Sequence, residues 1–422
     1  MRFFTISLFL LTFFILTGCS SSIPGGTNMN SSNLLQQLLK SDSEVFKTVL
    51  KDPNAYRLQI LYTQIDRNAE NTPQFTSHAF GVQTDRYFYP ASTVKLPAAA
   101  LALEKINRLN IDGLTKYSPL EIGVAYDGQS PVLEDASAEN GKPSLANYIK
   151  KILLVSDNDA YNRLFEFIGQ QQFTENMIAK SYTDTKIIRR LSVAATPEQN
   201  RLTNPFKFFN GQSVIYNQPR EENPEQYAID MPDMRQGIGY MSGGELVNEP
   251  IDFTNSNYYA VPDQQAVLKA LLFPEATPES QRFDLTEEDY RFLYRYMSML
   301  PYESRNPTYA DRNEYFDSYA KYIMFGDSKE NIPTNIRVFN KVGQAYGYLI
   351  DNAYVADFEN NVEFLLTVVI QVNENRIYND NNYEYEEAGV PFLAELGRAI
   401  YNHELKRKRT HAPDLSRFMV HQ

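Results

Sequence analysis

The sequence predicts an α+β fold: an antiparallel sheet flanked by N- and C-terminal helices, with a helical domain inserted between the halves of the sheet. Three observations carry this expectation. A helical segment and a strand-like segment come first, helices crowd the middle, and three strand-like runs followed by a helix close the chain. Strands so widely separated share one sheet when the helices between them form an insertion.

The elements follow in order. Residues 34–50 place Leu35, Leu38, Leu39, Val45, Phe46, Val49 and Leu50 at helical spacing, which predicts a first helix. Residues 57–66 are rich in β-branched and aromatic side chains and end in a polar turn, so they read as a strand. Residues 92–109 are Ala/Leu-rich and helical, with Pro97 near the start where its ring does least harm. Residues 144–155, capped by Ser144, and 159–168 read as two further helices. From 204 to 335 the composition shifts to Tyr, Asn, Pro and Asp, with helical patches only at 263–273 and 287–300. Strands are expected at 336–342, 346–358 and 362–372, and a last helix at 386–405.

Composition narrows the function. The chain has 422 residues, and its hydrophobic share of 43% and charged share of 22% are ordinary for a folded protein. A formal charge of −12 argues against general nucleic-acid binding, which needs a basic face. The local basic run at 406–409 reads as the start of a solvated tail, residues 406–422. One cysteine excludes an internal disulfide and any multi-cysteine zinc site. Histidine is scarce, with three of the four (His403, His411, His421) near the C-terminus and only His78 elsewhere. Chemistry that dispenses with imidazole is therefore expected, and no metal or organic cofactor is implied.

The first residues look like an address. Met1-Arg2 precedes an apolar run from Phe3 to Leu16, too short for a comfortable membrane span and typical of a secretory signal. The run ends in Leu16-Thr17-Gly18-Cys19, which resembles the bacterial lipobox. The resemblance implies removal of residues 1–18, lipidation of Cys19 and a Ser/Gly/Asn-rich tether over 19–33. With neutral Ser20 next, it implies a periplasm-facing protein held to the outer membrane by its lipid.

Three short motifs carry the chemistry. Ser92-Thr93-Val94-Lys95 opens a predicted helix, and a spacing of three puts Ser92 and Lys95 on one face. A serine at a helix N-terminus gains from the dipole as its alkoxide develops, and a desolvated lysine is able to take its proton. Ser156-Asp157-Asn158 lies between two helices; alone it is an ordinary capping cluster. Lys341-Val342-Gly343, followed by Gln344, ends a predicted strand. The Ser-x-x-Lys spacing is common, and a second copy, Ser318-Tyr319-Ala320-Lys321, is expected at the surface. The glycines Gly237, Gly239, Gly243 and Gly244 lack the Lys-Ser/Thr of a phosphate loop.

In this order and context the three motifs resemble those of the serine β-lactamase and penicillin-binding protein superfamily, closest in flavour to class A β-lactamase-like enzymes. The resemblance covers about residues 34–405, with a long insertion at about 206–335 outside it. It implies that Ser92 is acylated and that Lys95 accepts or relays its proton. Ser156 would protonate the departing nitrogen, and Asn158 would position Lys95 and the substrate amide. Lys341 would supply positive charge, Gly343 belongs to the same motif, and the N–H groups of Ser92 and Gln344 match the oxyanion-hole positions.

Two departures from the family pattern matter. Val342 stands where the family usually carries a hydroxyl that bonds a substrate carboxylate. The loop glutamate that activates the hydrolytic water has a loose match in Glu198, within Thr196-Pro197-Glu198-Gln199-Asn200. The leading expectation is β-lactam hydrolysis through an acyl-enzyme. A D-alanyl-D-alanine-type peptidase or esterase on a peptidoglycan-type peptide, or a catalytically weak lipoprotein that binds cell-wall fragments or a partner, stands beside it.

Overall fold

The computed structural model describes residues 29, 31–40 and 43–421. The expected signal, the lipobox with Cys19 and all but the end of the tether lie outside these residues. Among the described residues, and apart from the single turn Pro197–Asn200, the α-helices are α1 (Asn33–Leu38), α2 (Glu44–Lys51), α3 (Lys95–Leu109), α4 (Leu145–Leu154), α5 (Asn158–Ile168), α6 (Gln170–Ala179), α7 (Val261–Leu272), α8 (Glu287–Ser298) and α9 (Val390–Lys406). Five strands form the main sheet: β1 (Gln59–Arg67), β2 (Pro73–Phe80), β3 (Ile336–Ala345), β4 (Tyr348–Asp357) and β5 (Val362–Gln371).

The sheet runs in the order β3-β4-β5-β1-β2, antiparallel throughout. The first strand therefore sits beside the last, with Ile60 opposite Val368. Both faces are covered. Leu349, Ala353, Val355, Phe364 and Leu366 point to a core shared with Leu35, Phe46, Phe392 and Leu396 of the terminal helices. Ile350, Tyr354, Leu365 and Val369 point to a second core with α3 and α7. Because both faces are dry, β4 and β5 are buried at every position, and the polar side chains they carry, among them Asp351, Asn352 and Glu363, are buried with the rest. The α+β architecture, with helices between the two halves of an antiparallel sheet, is the one the sequence predicts.

Several boundaries differ. The single helix expected at 34–50 is two, because the Ser43 side chain accepts from the N–H of Phe46 and starts α2 afresh. Strand β2, at the sheet edge, was not expected: its outward positions are polar and it begins with Pro73. The span 206–335 is not one insertion. Its helix α7 packs on β1, β4 and β5, and α8 packs on β3. Gln265 of α7 donates to the Leu61 carbonyl (2.8 Å) and Thr367 Oγ1 (3.1 Å), fastening the helix to the sheet. What lies apart from the core pattern is a set of short strand pairs between 206 and 259, and the segment 301–335.

The solvated tail is also corrected. Arg407 and Arg409 both bond the buried carboxylate of Glu404, with 2.8 Å from Arg407 Nε. Leu415 and Phe418 then return the chain to the core, where Phe418 sits 5.0 Å from the Tyr354 ring. A buried carboxylate needs cations, and a basic run supplies them.

Candidate active site

Ser92 lies in a 3₁₀ turn, Ala91–Val94, that runs directly into α3. Ala91 takes a positive φ of 47°, a costly conformation for a residue with a side chain, and so turns the chain sharply into the helix. Lys95 follows one turn later and is fully buried. Ser156 also has a positive φ, 59°, between α4 and α5, while Asp157 caps α5 by accepting from the Ala160 N–H (2.7 Å). That kink turns both oxygens of Ser156 toward Lys95.

The three motifs converge. Lys95 Nζ lies 2.8 Å from Ser92 Oγ, 2.7 Å from Asn158 Oδ1, and 2.5 and 3.2 Å from the carbonyl and hydroxyl of Ser156. Lys341 Nζ donates to Ser156 Oγ (2.8 Å) and to the Val342 carbonyl (2.9 Å). A side-chain carbon on Gly343 would stand 2.9 Å from the Pro90 carbonyl oxygen, so only glycine lets β3 lie this close to the turn.

Among the described residues no carboxylate touches Lys95. Burial pushes its amine well below the usual lysine range, the Lys341 cation adds to this, and Asp157 opposes it only in part. A neutral amine carries a lone pair, and the Ser92 hydroxyl at 2.8 Å is placed to donate into it. Burial also lowers Lys341, to about 7, with Asp351 supporting its charge and Lys321 opposing it. Burial thus draws both amines, on either side of Ser156, toward their neutral forms.

A cleft of about 650 Å³ opens over these groups, lined by Ser92, Ser156, Asn158, Val342 and Gln344. Its opposite wall comes from 316–329, including Tyr319, Tyr322 and Lys329. Tyr322 OH donates to Gln344 Oε1 (2.9 Å), tying that wall to the strand.

Two expectations fail. Glu198 sits fully exposed on a single helical turn, Pro197–Asn200, lining a separate depression with Ile188, Arg201 and Tyr227. The Thr196–Gln199 capping box turns Glu198 outward, while Asn200 points inward to accept from the Arg190 N–H (2.9 Å). The residue of this loop that reaches the site is Ser192, whose Oγ accepts from Asn158 Nδ2 (2.8 Å). The second Ser-x-x-Lys, expected at the surface, is buried: Ser318 sits in the wall of the cleft, and Lys321 reaches Asn340 of β3. Ser192 belongs to no pattern that spacing alone reveals, and the Ser-x-x-Lys spacing that marks Lys321 says nothing of its burial. The loop itself hangs on a buried ion pair, Arg190 Nε to Glu166 Oε1 at 2.8 Å, which the sequence does not advertise. Among the described residues no three His, Cys, Asp or Glu side chains gather as a metal site.

A serine held at a helix start by one buried lysine, faced by a second lysine on a strand edge across a Ser-x-Asn turn, is the arrangement that the motifs' resemblance to the serine β-lactamase and penicillin-binding protein superfamily implies. Residues 43–228, which carry Ser92, Lys95, Ser156 and Asn158, match the model of the beta-lactamase enzyme family. Comparison with curated protein sequences finds no match. Among solved structures, the chain is similar to a β-lactamase from Sphaerobacter thermophilus DSM 20745 at 12% identity and a TM-score of 0.46. That alignment covers 88% of this chain and 96% of the other. It is similar to PBP-A at 14% identity and a TM-score of 0.48, over the same shares of the two chains. A β-lactamase from Xanthomonas campestris pv. campestris str. ATCC 33913 aligns at 14% identity with a TM-score of 0.46, over 87% of this chain and 97% of that one.

Proposed function

We propose that this protein is a serine hydrolase of the bacterial cell envelope that forms a long-lived acyl-enzyme on Ser92, in the manner of a penicillin-binding protein. The observation that carries the reading is the company Lys95 keeps: Ser92, Ser156 and Asn158, with no carboxylate. Neutral Lys95 takes the Ser92 proton as Oγ attacks the carbonyl carbon of a cyclic or peptide amide. The N–H groups of Ser92 and Gln344 hold the developing oxyanion. The C–N bond breaks, Ser156 passes its proton to the departing nitrogen and takes the Ser92 proton from Lys95 in its place, while Lys341 holds positive charge beside that hydroxyl. Asn158 aligns Lys95 and the substrate amide.

Hydrolysis of the resulting ester needs a base for water, and Glu198, fully exposed and lining a separate depression, is not placed for it. This favours the peptidase-type alternative, with β-lactams as slow-leaving acylating agents. The address at the N-terminus supports a lipid anchor on Cys19 and a periplasm-facing, outer-membrane site for the enzyme.

Intact-protein mass spectrometry with penicillin G tests the reading. A lasting adduct in the wild type that disappears in Ser92→Ala is expected. A fleeting adduct with accumulating opened penicillin would mean β-lactamase turnover. An adduct that survives Ser92→Ala would place the nucleophile elsewhere.

A further inference from the structure

Behind the strand that carries Lys341 lies a second buried set of charged groups. Lys321 Nζ donates to the Met297 carbonyl and to Asn340 Oδ1, each at 2.6 Å. Asn340 Nδ2 donates onward to Asp351 Oδ1 (2.7 Å) and to the Ala320 carbonyl (2.9 Å). Asp351 Oδ2 accepts from the N–H groups of Tyr322 (3.1 Å) and Ile323 (3.0 Å). Lys321, Asn340 and Asp351 are all almost wholly buried.

Strand register sets the arrangement. Asp351 pairs with Val342, and Asn340 lies two residues along on the same face, so the set occupies one side of β3. Lys341 alternates to the other side, toward Ser156. One carboxylate thus stands between two buried amines, one structural and one in the site. Such a set is costly unless it does something, because a fully apolar cluster of the same volume would pack without desolvating charge.

We propose that Asp351, Asn340 and Lys321 are positioning residues that fix the charge on Lys341 across the strand, and through it the alkaline limit of acylation at Ser92. The last clause rests on the reading of Ser92 as the acylated nucleophile. Asp351 favours the Lys341 cation and Lys321 opposes it, while burial disfavours any charge there. The other titratable groups nearby are Lys95 and Asp157 on the cleft side. On the far side stand the Arg337–Glu303 pair, whose guanidinium bonds both carboxylate oxygens at 2.9 Å, and His421, which burial holds at about 4 and so uncharged near neutrality.

The two halves of the set have opposite signs, and this makes the test decisive. In Asp351→Asn the Lys341 ammonium loses its counter-charge and gives up its proton at lower pH. In Lys321→Gln the repulsion from a neighbouring amine, itself lowered by burial to about 7, is gone and Lys341 keeps its proton to higher pH. The Lys341 titration is read in the full chain by NMR of ¹³Cε-labelled lysine, and acylation by penicillin G is followed from pH 5 to 10 by mass spectrometry. Shifts of about one pH unit in opposite directions are expected for both the resonance and the alkaline limb, the scale of one neighbouring charge. Packing damage would lower the rate without this sign reversal. Unmoved titration, or movement in the same direction in both variants, overturns the proposal. A limb that stays fixed while the resonance moves overturns the link to acylation. Should Lys321→Gln fail to fold, the sign of the Asp351→Asn shift decides alone. Were the wild type not acylated at all, the reading of Ser92 would fall, while the NMR titration would still judge the coupling.

Discussion

Gly343 and Ser92 meet backbone to backbone: a side-chain carbon on Gly343 would lie 3.2 Å from the Ser92 nitrogen. The strand that brings Lys341 is therefore seated directly on the turn that presents the nucleophile. Gly343→Ala must push the two apart. It is expected to cost about 1–3 kcal/mol of stability, the usual penalty for overpacking. Acylation should slow by at least about tenfold, because a shift of this kind at the reacting group misaligns it. Chemical denaturation and the rate of adduct formation measure the two effects.

Lys95 is a base only because it is buried. Lys95→Met, of similar length and without charge, should reduce acylation by about 10²–10⁴-fold, the range for a lost general base. Folding should survive, since replacing a buried charge by an apolar side chain is often neutral or stabilising. In the wild type the rate should fall toward acid as Lys95 takes up a proton and ceases to be a base. It should also fall above about pH 7 as Lys341 loses its charge.

The loop residue that touches the site is Ser192, through Asn158. Ser192→Glu places a carboxylate on that loop beside the acylated serine and is expected to shorten the lifetime of the penicilloyl adduct. Glu198→Gln should change neither acylation nor deacylation, because Glu198 lines a different depression. Time courses of the adduct after removal of free penicillin separate the two.

Val342 lines the cleft with only 4% of its surface exposed. Val342→Thr keeps the shape and adds a hydroxyl where an acyl donor's carboxylate would lie. The second-order rate of acylation by penicillin G should rise about tenfold, the worth of one hydrogen bond to a charged group. An uncharged ester substrate should show no such gain.

Arg190 bonds Glu166, the carbonyls of Gln199 (2.9 Å) and Leu202 (2.8 Å), and Asn204 Oδ1 (3.3 Å), all from a buried position. Arg190→Met removes one partner of a buried pair and should cost about 3–5 kcal/mol. The loss is measured as a lowered urea midpoint, and the loop bearing Ser192 should become sensitive to protease.

The sequence made the chemistry legible where it is local. Ser92 and Lys95 share a helical turn, and Ser156 with Asn158 brackets a cap, so spacing along the chain is spacing in space. The three long strands were legible for a related reason, since a core with two dry faces selects apolar residues at both odd and even positions of each strand. Glu198 misled because one residue of register on a short turn decides between facing the cleft and facing water. Lys321 misled because a lysine reads as exposed, and only tertiary structure brings Asn340 and a carbonyl to its amine. The helices at 261–272 and 287–298 were placed in an insertion because their flanks are Pro- and Asn-rich, although their apolar faces belong to the main core.

Strand β1 has β2 on one side and β5 on the other, with Tyr62 opposite Leu366. A polypeptide leaving the ribosome thus holds β1 long before its second neighbour exists. The segment 43–228 contains Ser92, Lys95 and Ser156, yet Lys341 and the central pairing of the sheet are still unmade at that stage. Such non-local pairing is slow to form and leaves apolar edges uncovered meanwhile. Catalytic competence is therefore a late event in the life of the chain. A product stopped before residue 362 carries the nucleophile and its base but no finished platform to set them against the second lysine.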